Sequence, residues 1–299
     1  MRSLITVLLT LALLGCQAEA TPPATLFDYR LLDDQGRPVS LAEAAGRLDR
    51  ADVIMVGELH GHAGVHRFQA ELLAQLLTRP RPLALAMEQF SRDRQTEVNA
   101  YLAGELGEDA FIERADAWPG YRRDYRPLVE LAKAAGIPVL AANAPRAIVR
   151  CIGHEGPDYL NRLPASHRGW VAERLTLDND AYKARFMASR FHGQAPTDHQ
   201  FAAQTSWDDT MAESIARYLE RHPGHRVMLT VGRFHIDEGL GTAQRLARRN
   251  PNLSIALIYP VLPGETAPPG WTLRVQALPT PRLKGEPLPK INMSTPECR

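Results

Sequence analysis

Five short apolar runs limit what this chain can become: DVIMVG at 52–57, LALAM at 83–87, PVLAAN at 138–143, RVMLTVG at 226–232 and SIALIYP at 254–260. Each is continuous and closed by turn residues. A strand with one wet face alternates apolar and polar positions, whereas a run apolar throughout has both faces covered, as in a parallel sheet between helical layers. Helical periodicity fills the intervals. In AGVHRFQAELLAQLLTR, residues Val65, Phe68, Leu72 and Leu76 fall on one stripe. YRRDYRPLVELAKAAG reads as a short helix ending at Gly136. SWDDTMAESIARYLERH reads as a helix capped at Ser206, with Asp209 three residues on and Met211, Ile215, Tyr218 and Leu219 as its buried face. GTAQRLARRN is a further helix. The alternation predicts an α/β fold: a mainly parallel central sheet with helices on both faces. Residues 144–205 show no strand and read as a helical insertion covering one edge.

The two ends read differently from this body. Arg2 precedes LITVLLTLALLGC, an apolar stretch of roughly a dozen residues, the length of a signal-peptide core and short of the about 20 needed to span a bilayer. Leu13-Leu14-Gly15-Cys16 resembles a bacterial lipobox, so 1–15 are expected to be a signal peptide and Cys16 the lipidated first residue. Gln17 stands where an inner-membrane retention signal usually has Asp, which points to the outer membrane of a Gram-negative envelope. Acyl chains contribute about 0.8 kcal/mol per buried CH₂, and several would hold the protein firmly. Small, polar and proline-containing residues then give a tether over 16–25. The body runs over 26–262. Eight of the 23 prolines lie beyond Leu262, so 263–299 is expected to be a Pro-rich tail, with TLRVQAL as one edge strand. Cys151 and Cys298 remain, and sequence alone does not bring them together. No Cys-x-x-Cys-His attaches a c-type haem, and phosphate-loop, dinucleotide and Gly-x-Ser-x-Gly signatures are absent.

Chemistry gathers at the ends of the runs. VGELHGHAGVH places Glu58 and His60 after the first, LALAM is followed by Glu88, PVLAAN closes on Asn143, and RVMLTVGRFH carries His235. Two runs thus finish in Gly-x-x-His, and ligands of open α/β sheets bind beyond the carboxyl ends of the strands. Gly57 and Gly232 are expected to let the chain turn sharply out of the sheet. Two His and two Glu at one rim could hold a divalent metal with an open position for hydrolysis, or bracket a larger polar ligand. His62 and His66 share a helix face but lack the glutamate of His-Glu-x-x-His, and surface or rim positions are expected. His192, His199, His222 and His225 have no partner spacing. Tyr125 and Tyr182 lie in helical stretches, where packing is the usual role of such residues. Thirty-five Lys and Arg against 34 Asp and Glu leave a net charge of +1, which gives no footprint for nucleic acid.

The ordered set VGELHGHAGVHRFQ, LAMEQF, YRPLVELAKAAGIPVLAAN, AQTSWDDTMAESI and TVGRFHIDEGLG resembles the ChaN family of haem-binding lipoproteins, in the superfamily that includes Tiki, TraB and erythromycin-esterase-like proteins. The resemblance spans about 56–241. It implies an outer-membrane lipoprotein that binds haem for iron acquisition or storage, with haem stacked between two protomers and an axial tyrosine. Tyr125 and Tyr182 are the tyrosines it suggests here, with His60, His235 and Arg233 as propionate partners. The enzymatic relatives imply an alternative: a hydrolase using Glu58, His60, Glu88 and His235, with His60 as general base and Glu88 as its orienter or a metal ligand.

Overall fold

The computed structural model describes residues 23–189, 195–283, 285, 286 and 298. The expected signal peptide, Cys16 and His192 lie outside the described residues. The strands are β1 (Tyr29–Leu32), β2 (Val53–Glu58), β3 (Leu83–Ser91), β4 (Val139–Asn143), β5 (Arg226–Gly232), β6 (Ile255–Val261) and β7 (Trp271–Val275). They form one sheet in the order β1-β7-β6-β2-β5-β3-β4, parallel throughout except where β1 meets β7. The α-helices are α1 (Leu41–Leu48), α2 (Ala63–Leu77), α3 (Gln95–Leu102), α4 (Glu108–Arg114), α5 (Arg126–Ala135), α6 (Arg146–Glu155), α7 (Ala165–Arg168), α8 (Ala181–Ala188), α9 (Asp198–Arg221) and α10 (Thr242–Arg249). The expected α/β architecture is present, and the five apolar runs are β2 to β6.

The period of two along each strand sorts side chains into two cores. Ile54, Val56, Leu85, Met87 and Met228 pack with Val65, Phe68, Leu72 and Leu76 of α2 and with Leu128 and Val129 of α5. Val53, Met55, Ala84, Ala86, Val227, Leu229 and Val231 pack on the other face with Met211 and Ile215 of α9 and Leu246 of α10. Each large apolar side chain buried in this way contributes about 1.5–3 kcal/mol. Both faces are therefore covered, which is why the strands read as unbroken apolar runs.

Three elements differ from expectation. The SWDD helix does not start at Ser206. It starts at Asp198, where Thr197 and Gln200 form a reciprocal capping box, and Ser206, Asp208 and Asp209 lie buried inside it. Buried carboxylates imitate a polar helix start when their partners are distant in sequence. TLRVQAL contributes β7, but β7 is not at the edge: the four-residue β1 pairs outside it, Tyr29 against Val275. In 144–205, helices are present as expected, and α6 packs chiefly on α9. Cys151 of α6 is joined to Cys298 by a disulfide, with the Cα atoms 5.6 Å apart.

Candidate functional site

Topology assembles the rim. The chain passes from β2 to β3 and β4, then returns to insert β5 between β2 and β3. The parallel register sets Glu58 beside Gly232, with Met87 opposite Thr230, so Glu88 follows on the next strand. Carboxylates and imidazoles more than 140 residues apart thereby share one sheet edge.

The first half of the site is Glu58 with His60. The Glu58 carboxylate is buried and accepts from three groups: His60 Nδ1 at 2.7 Å, the Tyr125 hydroxyl at 2.7 Å and Gln69 Nε2 at 3.1 Å. A carboxylate only accepts, so Nδ1 carries the proton. Burial pushes Glu58 up, but the His60 hydrogen bond, nearby His66 and the Tyr125 hydrogen bond outweigh it and hold the carboxyl below its ordinary range. The same hydrogen bond raises the imidazole of His60. The ring is 56% exposed and meets Trp118 edge-on at 5.3 Å. Among the described residues, Nε2 has no hydrogen-bond partner. Tyr125 reaches Glu58 from a five-residue π-helix, Tyr121–Tyr125, at the start of α5. Such π-turns recur at functional sites because they re-aim side chains.

The second half is closed. His235 is buried, with Nδ1 at 2.8 Å from Asp208 Oδ1 and Nε2 at 3.5 Å from Glu88 Oε1. Asp208 also accepts from Tyr182 at 2.6 Å and Thr242 at 2.8 Å. Glu88 Oε2 accepts from the Gly232 amide at 2.6 Å. Burial lowers the His235 imidazole, but Asp208 and Glu88 more than offset it and push it up to about 10. Burial raises Asp208, while the charge and hydrogen bond of His235 bring it below its ordinary value. Both ring nitrogens face carboxylates, so His235 is an imidazolium donating on both sides.

The two glycines act through space, not backbone freedom, because neither has a positive φ. A Cβ at Gly57 would lie 3.0 Å from Ile236 and 3.1 Å from Pro260. A Cβ at Gly232 would lie 3.2 Å from His60 Nε2 and 3.5 Å from Glu88 Oε2. Gly232 thus keeps open the space where the halves meet.

The rim brings His60, Glu58, Glu88 and His235 together. Among the described residues no three His, Cys, Asp or Glu side chains are grouped to hold a metal ion. Three donors already occupy the Glu58 carboxylate, and both ring nitrogens of His235 face carboxylates. Arg233 turns from the rim to Asp237 at 3.1 Å and Glu265 at 2.6 Å. Tyr125 and Tyr182 are 2% and 0% exposed. Each donates to a carboxylate, and burial with that neighbouring charge holds both phenols well above their ordinary value. Neither presents an oxygen to a ligand. Neither His62 nor His66 is at the surface; His66 is buried at the rim, 3.8 Å from Glu58 Oε2, as one of the expected alternatives. His62 caps α2. His66 accepts from the Gly61 amide at 3.1 Å and lies 3.0 Å from Gln69. Asn143 holds the edge of β4 by donating to the Glu88 carbonyl at 2.9 Å.

Sequence reasoning does not single out Asp208, Gln69, Trp118 or Arg123. Only Asp208 leaves a signal, as part of an acidic pair within the AQTSWDD segment. Gln69 stands on α2 two turns after His62. Trp118 precedes, and Arg123 lies within, a π-turn that no spacing announces.

The paired Glu and His lie beyond the carboxyl ends of a mainly parallel sheet, the place where open α/β sheets bind ligands. The chain belongs to the family described as haem-binding uptake, Tiki superfamily, ChaN, whose model matches residues 44–246. The fold is similar to that of the structure described as cofacial heme binding to ChaN of Campylobacter jejuni, at 17% identity and a TM-score of 0.65, covering 84% of this chain and 98% of that one. A mutant of the erythromycin esterase EreC, in its open conformation, matches at 14% identity and a TM-score of 0.48, covering 83% of each chain. The chloroplastic protein RETICULATA-RELATED 5 of Arabidopsis thaliana is 23% identical over 186 residues, 58% of this chain. This chain spans 25% of that protein's length.

Proposed function

We propose that the protein is a lipid-anchored haem-binding protein of the outer membrane that serves iron acquisition or storage, with His60 as the group that meets the iron. The family supports haem as the ligand. The observation that carries the reading is the exposed His60 ring, fixed through Nδ1 on a buried carboxylate and open at Nε2. All eight tyrosines of the chain are among the described residues: seven are buried and Tyr29 is half-buried and donates to Glu71. The residues present therefore fit haem through an imidazole rather than a phenolate. Haem would supply the ferric centre and a broad apolar face. Trp118 would flank that face, and Arg123, 71% exposed and held by Asp124 through Nε and Nη2 at 2.7 Å, would turn its remaining Nη1 to a propionate. A carboxylate on the far nitrogen raises the basicity of a ligating imidazole and favours the higher oxidation state of the metal. The open rim and the cofacial haem of the Campylobacter jejuni protein support two protomers closing over the ligand.

Haemin titration of the whole chain tests this. A saturable Soret shift is expected, with affinity rising as pH rises through the elevated value of His60, because Nε2 must first lose its proton. His60→Ala should abolish that pH dependence and change the spectrum, whereas Tyr125→Phe should leave the spectrum unaltered. One observation favours a second reading: His60 Nδ1 is held by Glu58 at 2.7 Å while Nε2 borders the space beside Gly232, so in a hydrolase Glu58, and not the expected Glu88, would orient His60 as general base. Ester cleavage lost in His60→Ala, with no Soret shift in the parent protein, would select it.

A further inference from the structure

We propose that His66 is a positioning residue for His60: it holds the backbone behind that imidazole and, through Gln69, the carboxylate in front of it. The inference rests on the reading in which His60 Nε2 meets the ligand. The local sequence builds the arrangement. His60 and Gly61 are the central pair of a tight turn, in which the His62 amide donates to the Leu59 carbonyl at 2.9 Å. Gly61 takes a φ of 76° there, the left-handed conformation that glycine adopts without steric cost. Helix α2 begins at once, and its His66 and Gln69, three apart, fall on one face. Both are buried, at 5% and 0% exposure.

Hydrogen-bond direction fixes the state of each group. A backbone amide only donates, and the Gly61 amide lies 3.1 Å from His66 Nε2, so that nitrogen carries a lone pair. The ring then has its proton on Nδ1, which lies 3.0 Å from Gln69 Oε1 and 3.8 Å from Glu58 Oε2. The first distance is a hydrogen bond and the second is not. Gln69 is thereby turned with its oxygen to His66 and its amide nitrogen to Glu58 Oε2, at 3.1 Å. With that amide reversed, two acceptors would face each other in a buried site. Glu58 Oε1 accepts from His60 Nδ1 at 2.7 Å. The path closes on itself: from Gly61 to His66, Gln69, Glu58 and His60, whose next residue is Gly61.

A closed path restrains an exposed ring better than a single bond does. The His60 ring is 56% exposed, and among the described residues its one hydrogen bond is to Glu58. Without His66 that bond would have to hold both the ring and the turn that carries it. Tyr125 backs the path from the other side, its ring edge-on to His66 at 5.1 Å and its hydroxyl on Glu58. Both nitrogens of His66 are engaged within the path, so its removal subtracts nothing that a ligand could bind.

NMR of the whole chain labelled with ¹⁵N-histidine tests this at about pH 9, above the ordinary imidazole value of about 6.5. Two-bond correlations to the carbon-bound ring protons tell a protonated nitrogen from one with a lone pair. His66 is expected with its proton on Nδ1 alone, and His60 likewise. In His66→Phe, whose ring keeps the contact with Tyr125, the two nitrogen signals of His60 should shift toward each other as the ring leaves Glu58 and averages between tautomers. Haemin affinity should fall about 10- to 100-fold, the usual loss when an outer partner of a metal ligand is removed. The imidazolium pattern of His235, in the other half of the site, reports that the variant is folded. Gln69→Leu cuts the same path without touching His66 and should move the His60 signals in the same direction, which keeps the test open if His66→Phe does not fold. A proton on His66 Nε2 in the parent chain, or unmoved His60 signals in a folded variant, would overturn the inference while leaving haem binding in place. A parent chain with both tautomers as expected but no Soret shift with haemin would refute the haem reading and leave His66 as the residue that positions His60.

Discussion

His235→Gln is the perturbation whose consequences follow most directly from the geometry. The imidazolium lies between Asp208 at 2.8 Å and Glu88 at 3.5 Å, and those carboxylates push its pKa from 6.5 up to about 10. A group raised on folding stabilises the folded state fully below its unfolded value and loses that contribution as pH rises through the folded one. Stability from His235 is therefore whole at about pH 6 and drains away between about pH 6.5 and 10. At about 1.4 kcal/mol for each tenfold gain in proton affinity, the full effect is on the order of 5 kcal/mol, spread across that window. Glutamine donates one amide to one carboxylate and leaves the other buried without a cation, a loss of about 3–5 kcal/mol when a buried pair is broken. Urea unfolding of both proteins at several values between about pH 6 and 9 measures the difference curve. The gap should be largest at the acid end and narrow as pH rises. Parallel curves would refute a charged His235, and would return it to the pool of neutral imidazoles able to bind metal.

Gly232→Ala tests the space between the halves. Its backbone at φ −53° and ψ 136° accepts alanine, so unfolding free energy should change by less than about 1 kcal/mol, while the methyl group displaces His60 Nε2 and weakens haemin binding; unchanged binding would remove Nε2 from the site. Reduction of the disulfide, or Cys298→Ser, opens a loop closed across a separation of 147 residues, and calorimetry should show a loss of about 2–5 kcal/mol; an unchanged transition would mean that the tail contributes nothing to the fold.

Most of the sheet was legible because burial on both faces leaves a signature that survives without any tertiary information. DVIMVG and RVMLTVG contain almost nothing but β-forming apolar residues, and no other environment tolerates such runs at that length. β1 was not legible: YRLL has four residues and acquires its meaning only from Trp271–Val275 across 240 positions. Helix boundaries failed where polarity was misleading. Ser206-Trp207-Asp208-Asp209 has the composition of a helix start, yet Asp208 and Asp209 are satisfied by His235, Tyr182, Thr176 and Arg249, none of them local except through the fold. The gathering of His60 and His235 at one rim was readable, because two strands ended in the same pattern. Their division of labour was not, since it depends on which imidazole finds two carboxylates and which finds one.

That division determines what the rim can do. Both histidines follow a glycine by three residues, but β5 is flanked by β2 and β3, and its His235 turns inward to Asp208 and Glu88. Such a group can bind nothing further, yet it faces Glu88, whose Oε2 accepts from the Gly232 amide. His60, on the outer side, has its one tied nitrogen on Glu58 and its other free. One locked pair therefore sets the field, and one open pair offers a lone pair within it. Coordination of ferric iron and abstraction of a proton from water both require that lone pair and both are favoured by Glu58. In this chain the Trp118 ring packs edge-on against His60, and the π-turn at Tyr121–Tyr125 brings the Tyr125 hydroxyl to Glu58.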